Sequence, residues 1–262
     1  MIPLTNNLIN QIEEFRSKGS SYKDISKTFN ISKSTAHKYC NIIKLNYNAL
    51  NKLKNKINVN RERFVKLYGI PKKINKIGLS IEKVRLISHC LFDGYVGKDT
   101  ISYINKSHVL LNEFLKDVAI VYGLKGRIRS KKRNDVYSID VYSVLVVKDL
   151  MRYVNSYKTH NQLKCLRVPK KIFNNKSLIK VFLRAFWDDE GTVGYYKYAK
   201  RIRSPCWNKY FRNDIIRLHN ILNIDAKEEE NKYVVIRDKS NIIKFRDLIG
   251  FTGYLFGTEA KY

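Results

Sequence analysis

The chain has 262 residues, 44% of them hydrophobic, which is enough for one large domain or two smaller ones with buried cores. Lysine and arginine number 51 against 23 acidic residues, so the net charge is +28 and favours an anionic partner, either nucleic acid or an anionic membrane surface. No stretch approaches the roughly 18–20 continuous apolar residues of a spanning helix, and the N-terminus lacks the pattern of a signal peptide. We therefore expect an intracellular protein, cytoplasmic or nucleoid-associated, that binds nucleic acid and no membrane.

The four cysteines and five histidines are widely dispersed. A zinc site needs ligands clustered at short spacings, and no such cluster is visible in the sequence. We expect reduced, partly buried thiols.

Residues 20–43 predict two short helices joined by a tight turn. Ser21 and Ser32 are typical N-cap residues, and Asn30 lies where the first helix should end in a left-handed conformation. An upstream helix over about residues 4–18 would supply a third packing partner. The run SYKDISKTFNISKSTAHKY resembles the helix-turn-helix of resolvase-like DNA-binding domains.

This resemblance implies a DNA-binding module over residues 1–45. The side chains expected to reach bases and phosphates are those of Lys33, Ser34, Thr35, His37 and Lys38. The alternative is a helical hairpin used only for packing or dimerisation. Residues 46–69 are rich in Lys and Asn, and we expect a basic linker there, either with one or two helical turns or as a disordered tether.

The remainder of the chain contains an internal duplication. Residues 69–97 align with residues 167–194, and the match continues downstream at an offset of 96 to 98 positions. An offset this steady predicts two similar halves, over residues 70–166 and 167–262.

Both halves follow one pattern of predicted elements. A helix that ends at acid-glycine precedes a strand, an amphipathic helix, two more strands and a last helix. The predicted strands cover 100–105 and 193–202, and the amphipathic helices cover 109–122 and 211–222. The expected fold class is α+β, with each small sheet covered on one face by helices.

The helix ends carry the most specific signal. LISHCLFDG (86–94) and LRAFWDDEG (183–191) resemble the two motif copies of single-chain LAGLIDADG homing endonucleases. The resemblance implies two αββαββα halves that form a saddle over DNA, with the motif helices side by side. It further implies that Asp93 and Glu190, the last acids of the motifs, bind divalent metal between the two scissile phosphates.

Elementary electrostatics supports a metal at these acids. A carboxylate at a helix C-terminus meets the negative end of the helix dipole, and two such ends placed together repel each other. Mg²⁺, for which Mn²⁺ can substitute, takes one or two carboxylates plus phosphate oxygens and water. The alternative is that Asp93-Gly94 and Glu190-Gly191 are ordinary helix ends.

Other motif residues carry weaker expectations. Asp188 matches the inner acid of the family, which caps or orients, whereas Asp189 is expected to be solvated. His89 departs from the family pattern and is expected to pack at the helix interface. Ser88 and Ala185 are small enough for close helix approach.

Basic residues in both halves are expected to face DNA, since they alternate with apolar or aromatic residues. They are Arg127, Arg129 and Lys131 in the first half, and Lys197, Lys200, Arg201 and Arg203 in the second. A solubilising surface is the alternative. By resemblance to the family, Lys158 and Lys261 are candidates for polarising the attacking water.

The sequence thus favours a monomeric, site-specific, Mg²⁺-dependent double-strand DNA endonuclease of the kind that serves intron or intein mobility. A non-cleaving DNA-binding regulator and an RNA-binding splicing maturase on the same scaffold are the alternatives. Retention of an acid in both motifs favours the nuclease, because neither alternative needs those carboxylates.

Overall fold

The computed structural model describes residues 4–70, 78–130, 136–158, 166–196 and 199–252. The chain divides into two compact units, Met1–Leu67 and Tyr68–Tyr262.

The first unit consists of helices. They are α1 (Asn6–Ser17), α2 (Tyr22–Thr28), α3 (Lys33–Cys40) and α4 (Tyr47–Tyr68). The first three helices share a small core made of the buried side chains of Ile12, Ile25, Ala36 and Cys40.

The predicted turn between α2 and α3 is present. Ser21 caps α2 and forms a capping box with Asp24, and the hydroxyl of Ser32 accepts a hydrogen bond from the Thr35 amide of α3. Asn30 adopts a φ of 50°, the left-handed conformation expected where the first of these helices ends.

The segment predicted as a linker is a single helix of 22 residues, α4, and not one or two turns. Composition suggested a tether because Lys and Asn dominate the segment, but no Gly or Pro interrupts residues 47–68. Contacts within the unit fix its first half. Ala49 is buried beside Gly19, and Lys56 pairs with Asp24 at 2.5 Å.

The second unit contains two copies of one arrangement. The first copy comprises α5 (Ile81–Leu91), β1 (Gly94–Val96), β2 (Thr100–Asn105), α6 (His108–Tyr122), β3 (Ile128–Ser130), β4 (Tyr137–Tyr142) and α7 (Val144–Leu150). The second comprises a short 3₁₀ turn (Lys170–Ile172), α8 (Lys176–Glu190), β5 (Thr192–Tyr196), β6 (Ala199–Pro205), α9 (Lys209–Ile221), β7 (Ala226–Glu229), β8 (Tyr233–Ile236) and α10 (Lys239–Leu248).

The two four-stranded sheets have the same topology. Their strand orders are β1-β2-β4-β3 and β5-β6-β8-β7, and every pairing is antiparallel. This mixed helix-and-sheet architecture confirms the predicted α+β class. The repeated strand order agrees with the duplication found in the sequence.

One predicted strand is wrong. Residues 193–202 do not form one strand but span parts of β5 and β6, which pair with each other from Thr192↔Arg203 to Tyr196↔Ala199. No Gly, Pro, Asn or Asp breaks the run of Tyr, Lys and Ala between these strands, so the usual turn signal was missing.

Helices cover one face of each sheet. In β2, Ile101 and Tyr103 are fully buried while Ser102 between them is only partly buried. In β6, Ile202 and Ser204 are buried in the same alternation. One continuous core, to which both motif helices contribute, underlies the two sheets.

Cys40, Cys90 and Cys206 are free and buried, and Cys165 lies outside the described residues. Among the helices of the described segments, none combines the length and apolarity needed to cross a bilayer.

Candidate metal and nucleic-acid site

The motif helices α5 and α8 pack directly against each other. The hydroxyl of Ser88 donates a 2.9 Å hydrogen bond to the backbone carbonyl of Phe182, and both Ser88 and Ala185 are buried. Small side chains at these two positions permit the close approach that the sequence allowed.

A glycine follows each motif acid because the backbone there folds back over its own helix. A Cβ atom on Gly94 would lie 2.5 Å from the Cα atom of Cys90, and one on Gly191 would lie 2.4 Å from the carbonyl oxygen of Trp187. Neither position has room for a side chain. Glu190 is the last residue of α8, whereas Asp93 lies two residues beyond the end of α5.

Asp93 and Glu190 share a region of excess negative charge. Burial raises the pKa of Asp93 to about 7, with further contributions from the carboxylates of Asp189 and Glu190. Burial and Asp189 also raise the pKa of Glu190. Asp93 and Glu190 thus lie at the ends of two packed motif helices, and Glu190 is one of the charges that raise the pKa of Asp93.

The carboxylates of Asp93 and Glu190 suit a hard divalent cation whose remaining ligands are water or phosphate oxygens. Within the described segments, no group of three or more His, Cys, Asp or Glu side chains forms a closed metal cage. Two carboxylates with raised pKa values instead fit Mg²⁺ or Mn²⁺, which take oxygen ligands and keep water or bind phosphate.

Asp189 is not solvated, contrary to the sequence expectation. Its side chain has no exposed surface. One carboxylate oxygen lies 2.8 Å from Nδ1 of His89, and the other accepts a 2.6 Å hydrogen bond from the Tyr103 hydroxyl. A run of three acids suggested a solvated surface, but the helical rotation of α8 turns Asp189 towards α5.

His89 is a buried interface residue, as expected. Its ring lies against Tyr103 with the centroids 4.7 Å apart. Burial lowers the pKa of His89, but the Asp189 carboxylate more than offsets this effect and leaves the pKa above its usual value. In the described part of the chain, its buried Nε2 atom has no hydrogen-bond partner.

Asp188, the residue that matches the inner acid of the motif, contacts a distant part of the chain. Its Oδ1 atom accepts a 2.7 Å hydrogen bond from the backbone amide of Thr252, which lies beyond α10. Asp188 therefore joins the end of the motif helix to the chain that follows the last helix of its half.

Sequence reasoning missed Asn105. Its Nδ2 atom donates to Asp93 Oδ2 at 3.1 Å and to the Tyr103 hydroxyl oxygen at 3.2 Å, while its Oδ1 atom accepts the Ser107 amide at 2.9 Å. The strand alternation Ile101, Tyr103, Asn105 was the available signal, since it places a polar amide on the helix-covered face.

The basic residues of β6 lie on two different faces. Arg201 and Arg203 alternate with the buried Ile202, so they lie on the face away from the helices. Lys200 lies two residues before Ile202 and therefore shares its helix-covered face. This corrects the prediction that Lys200 lies on the same face as Arg201 and Arg203.

The exposed face of the second sheet holds an arginine cluster around Glu229. Nη1 of Arg201 lies 3.0 Å from Glu229 Oε1, and Nη2 of Arg237 lies 2.6 Å from the same atom. Arg203 contacts Glu229 at 3.9 Å and stacks over the Tyr233 ring at 3.4 Å from its centroid. Arg237 was not predicted.

In the first half, the described part of the chain contains two of the cations predicted to face DNA. Arg129, in β3, is half exposed and lies 4.0 Å from Asp140, and the exposed Arg127 immediately precedes β3. On α3, Lys33, Ser34, His37 and Lys38 are exposed and Thr35 is partly buried.

Of the two lysines predicted to lie near the metal, only Lys158 falls within the described residues. Lys158 is exposed, and no ion pair or hydrogen bond among the described residues joins its side chain to Asp93 or Glu190. Lys131, Lys197 and Lys261 lie outside the described residues.

Several solved structures are similar to this chain. I-DmoI in complex with DNA and Mn is 18% identical over 67% of this chain and 98% of its own, with a TM-score of 0.47. The N-terminal LAGLIDADG domain of DUF199/WhiA is 18% identical over 68% of this chain and 87% of its own, with a TM-score of 0.48. Full-length DUF199/WhiA from Thermatoga maritima is 14% identical, with a TM-score of 0.45, and covers 68% of this chain and 58% of its own. These neighbours are LAGLIDADG proteins. This is the family that the two motifs resemble.

No protein-family model matches the sequence, and no curated protein sequence matches it. The interpretation of the two LAGLIDADG-like motifs therefore depends on the geometry of this chain. The motifs place two acids of raised pKa at the ends of packed helices, in a unit whose second sheet carries an arginine cluster around Glu229.

Proposed function

We propose that this protein is a LAGLIDADG-type, metal-dependent endonuclease that cuts double-stranded DNA at a specific site as a monomer. One observation carries the proposal. The last acids of the duplicated motifs, Asp93 and Glu190, lie at the ends of α5 and α8, which pack against each other through Ser88 and Phe182, and burial raises the pKa of both acids. Negative charge at the C-terminal end of a helix is unfavourable, so stability alone does not explain an acid at both motif ends.

Asp93 and Glu190 would hold the divalent ions. When bound, Mg²⁺ would supply acidified water and offset the negative charge that develops on the scissile phosphate. The chain itself would orient the Asp93 carboxylate through the hydrogen bond from Asn105. The buried motif helices would give the two acids a rigid base.

Positive residues outside the acid site would bind the DNA backbone. Arg201, Arg203 and Arg237 form one surface on the second sheet, and Arg127 and Arg129 are exposed on the first. Guanidinium groups bind phosphate bidentately, and each contact releases counterions. The exposed residues of α3 would extend the target in a separate DNA-binding module.

A non-cleaving DNA-binding regulator is the second candidate. The observation in its favour is the asymmetry of the two motif ends: Asp93 lies two residues beyond α5 and accepts a hydrogen bond from Asn105, whereas Glu190 is the last residue of α8. Such a protein would keep the basic surfaces and the helical module without performing hydrolysis.

The deciding experiment is a cleavage screen of the full-length protein on a randomised duplex DNA library with Mg²⁺, alongside Glu190→Gln. We expect cleavage at a defined sequence, its loss in E190Q and little change in binding of that sequence in Ca²⁺. Sequence-specific binding by both proteins with cleavage by neither would establish the regulator. Equal cleavage by both would remove Glu190 from the chemistry.

A further inference from the structure

We propose that Tyr103 and Asn105 are positioning residues that orient the Asp93 carboxylate, anchored by the buried pair His89 and Asp189. Among the described residues no side chain donates a hydrogen bond to the second motif acid, Glu190, so the two halves would hold their ions unequally. This inference rests on the proposed function, because it assigns residues that prepare the same site.

An unbroken series of hydrogen bonds joins the interface to the acid. His89 Nδ1 and Asp189 Oδ2 are 2.8 Å apart, and the Tyr103 hydroxyl donates to Asp189 Oδ1 at 2.6 Å. Asn105 then donates to the Tyr103 hydroxyl oxygen at 3.2 Å and to Asp93 Oδ2 at 3.1 Å. The other carboxylate oxygen, Asp93 Oδ1, takes no part in this series of hydrogen bonds and would be the atom that binds the metal.

The anchor is rigid because packing surrounds it. His89, Tyr103 and Phe114 are fully buried, and the Tyr103 ring lies 4.7 Å from the His89 ring and 4.9 Å from the Phe114 ring. Asn105 is further fixed because its Oδ1 atom accepts the Ser107 amide at 2.9 Å. A group held this way keeps one orientation when a ligand binds.

The second half lacks the equivalent donor. In the first half Gly94 pairs with Tyr103, two residues before Asn105. The second-half pair Thr192↔Arg203, extended by one residue, places Gly191 opposite Ser204 and puts Cys206 at the position of Asn105. Cys206 interacts electrostatically with Glu190, and no side-chain hydrogen bond to Glu190 occurs among the described residues.

A matched pair of tyrosines separates positioning from simple stability. Tyr122 is also buried in the first half, and its hydroxyl donates to a buried carboxylate, that of Asp149, at 3.0 Å. It has no hydrogen-bonded connection to Asp93 in the described structure. Tyr103→Phe and Tyr122→Phe thus each remove one hydroxyl–carboxylate bond and keep the ring.

The test measures Mn²⁺ binding to the full-length protein by electron paramagnetic resonance, with D93N and E190Q used to assign each ion. We expect Y103F to weaken the Asp93-dependent binding about tenfold and Y122F to change it less than twofold. The Glu190-dependent binding should be unaffected by either. Equal weakening by both tyrosine variants, or equal weakening of both ions by Y103F, would overturn the proposal.

A second measurement keeps the inference separate from the proposed nuclease. Metal-free crystal structures of the wild type, Y103F and Y122F would show the Asp93 carboxylate directly. We expect it to be reoriented or disordered only in Y103F, whether or not Mn²⁺ binds. An unchanged carboxylate in Y103F refutes the positioning role, whereas wild-type protein that binds no Mn²⁺ refutes the metal-dependent function instead.

Discussion

His89 Nδ1 lies 2.8 Å from Asp189 Oδ2 across the interface of the two motif helices, and neither side chain has exposed surface. The offset of 97 positions that relates Asp93 to Glu190 maps His89 onto Phe186 and Phe92 onto Asp189. Phe92 and Phe186 are also in contact, with ring centroids 5.0 Å apart. The duplicated interface therefore contains one contact twice, once as a hydrogen-bonded His–Asp pair and once as an aromatic pair.

We expect replacement of both members of the buried pair to destabilise the protein less than replacement of His89 alone. His89→Phe alone leaves the Asp189 carboxylate buried without its imidazole partner, and we expect it to lower the free energy of unfolding by about 3–5 kcal/mol. His89→Phe with Asp189→Leu should cost less than His89→Phe alone, because no unpaired charge is then left inside. Urea unfolding of both single variants and the double variant completes the cycle. Strictly additive losses would show that the pair is not coupled.

Asp93→Asn should stabilise the metal-free protein above neutral pH. The folded pKa of about 7 exceeds the reference value of 3.8, so the folded state favours the protonated acid. Ionisation of Asp93 therefore destabilises the folded state. The free energy of unfolding rises as pH falls from 7 towards 4, and the full cost of ionisation is present above pH 7. We expect D93N to gain about 1–3 kcal/mol at pH 8, allowing for partial exposure, and little at pH 4.

Thermal unfolding without divalent metal at pH 4, 6 and 8 measures this dependence. Asp99→Asn is the matched control, since Asp99 is an exposed aspartate of the same half. A gain for D93N that is equal at all three pH values would contradict the assigned pKa shift.

Arg203→Ala should weaken DNA binding and reduce its salt dependence. A lost phosphate contact lowers the slope of log affinity against log salt by about one. Arg246→Ala removes the same charge from α10, where Arg246 pairs with the neighbouring Asp247, and should leave the slope nearly unchanged. Fluorescence anisotropy with labelled duplex between 50 and 200 mM salt provides the comparison. Identical slopes for the two variants would exclude the arginine cluster from the interface.

Removing residues 1–67 tests whether the two units act separately. The shortened chain retains the duplicated core and both motif acids, so we expect it to remain folded and to cut its target with Mg²⁺. Its affinity should fall, because the exposed residues of α3 no longer bind DNA. Circular dichroism and a cleavage titration measure the two properties. A folded but inactive product would show that the first unit takes part in catalysis.

Much of the fold follows from local rules that the sequence displays directly. Serine caps, the left-handed Asn30 and the 3.6-residue periodicity located α2 and α3 of the first unit. The constant offset between the halves predicted the repeated topology. The same duplication selected Asp93 and Glu190 among 23 acidic residues, because only a repeated acid-glycine pair marks equivalent helix ends.

Tertiary structure decided which polar groups are buried and what they contact. Asp189 sits beside two partly exposed acids in sequence, yet the packing of α5 on α8 removes it from solvent and pairs it with His89. Asn105 reaches Asp93 only because β2 runs beside β1. A sequence specifies which residues share a face of a helix or strand, but the partner of that face comes from distant parts of the chain. Charge, burial and hydrogen bonding at the site all depend on that partner.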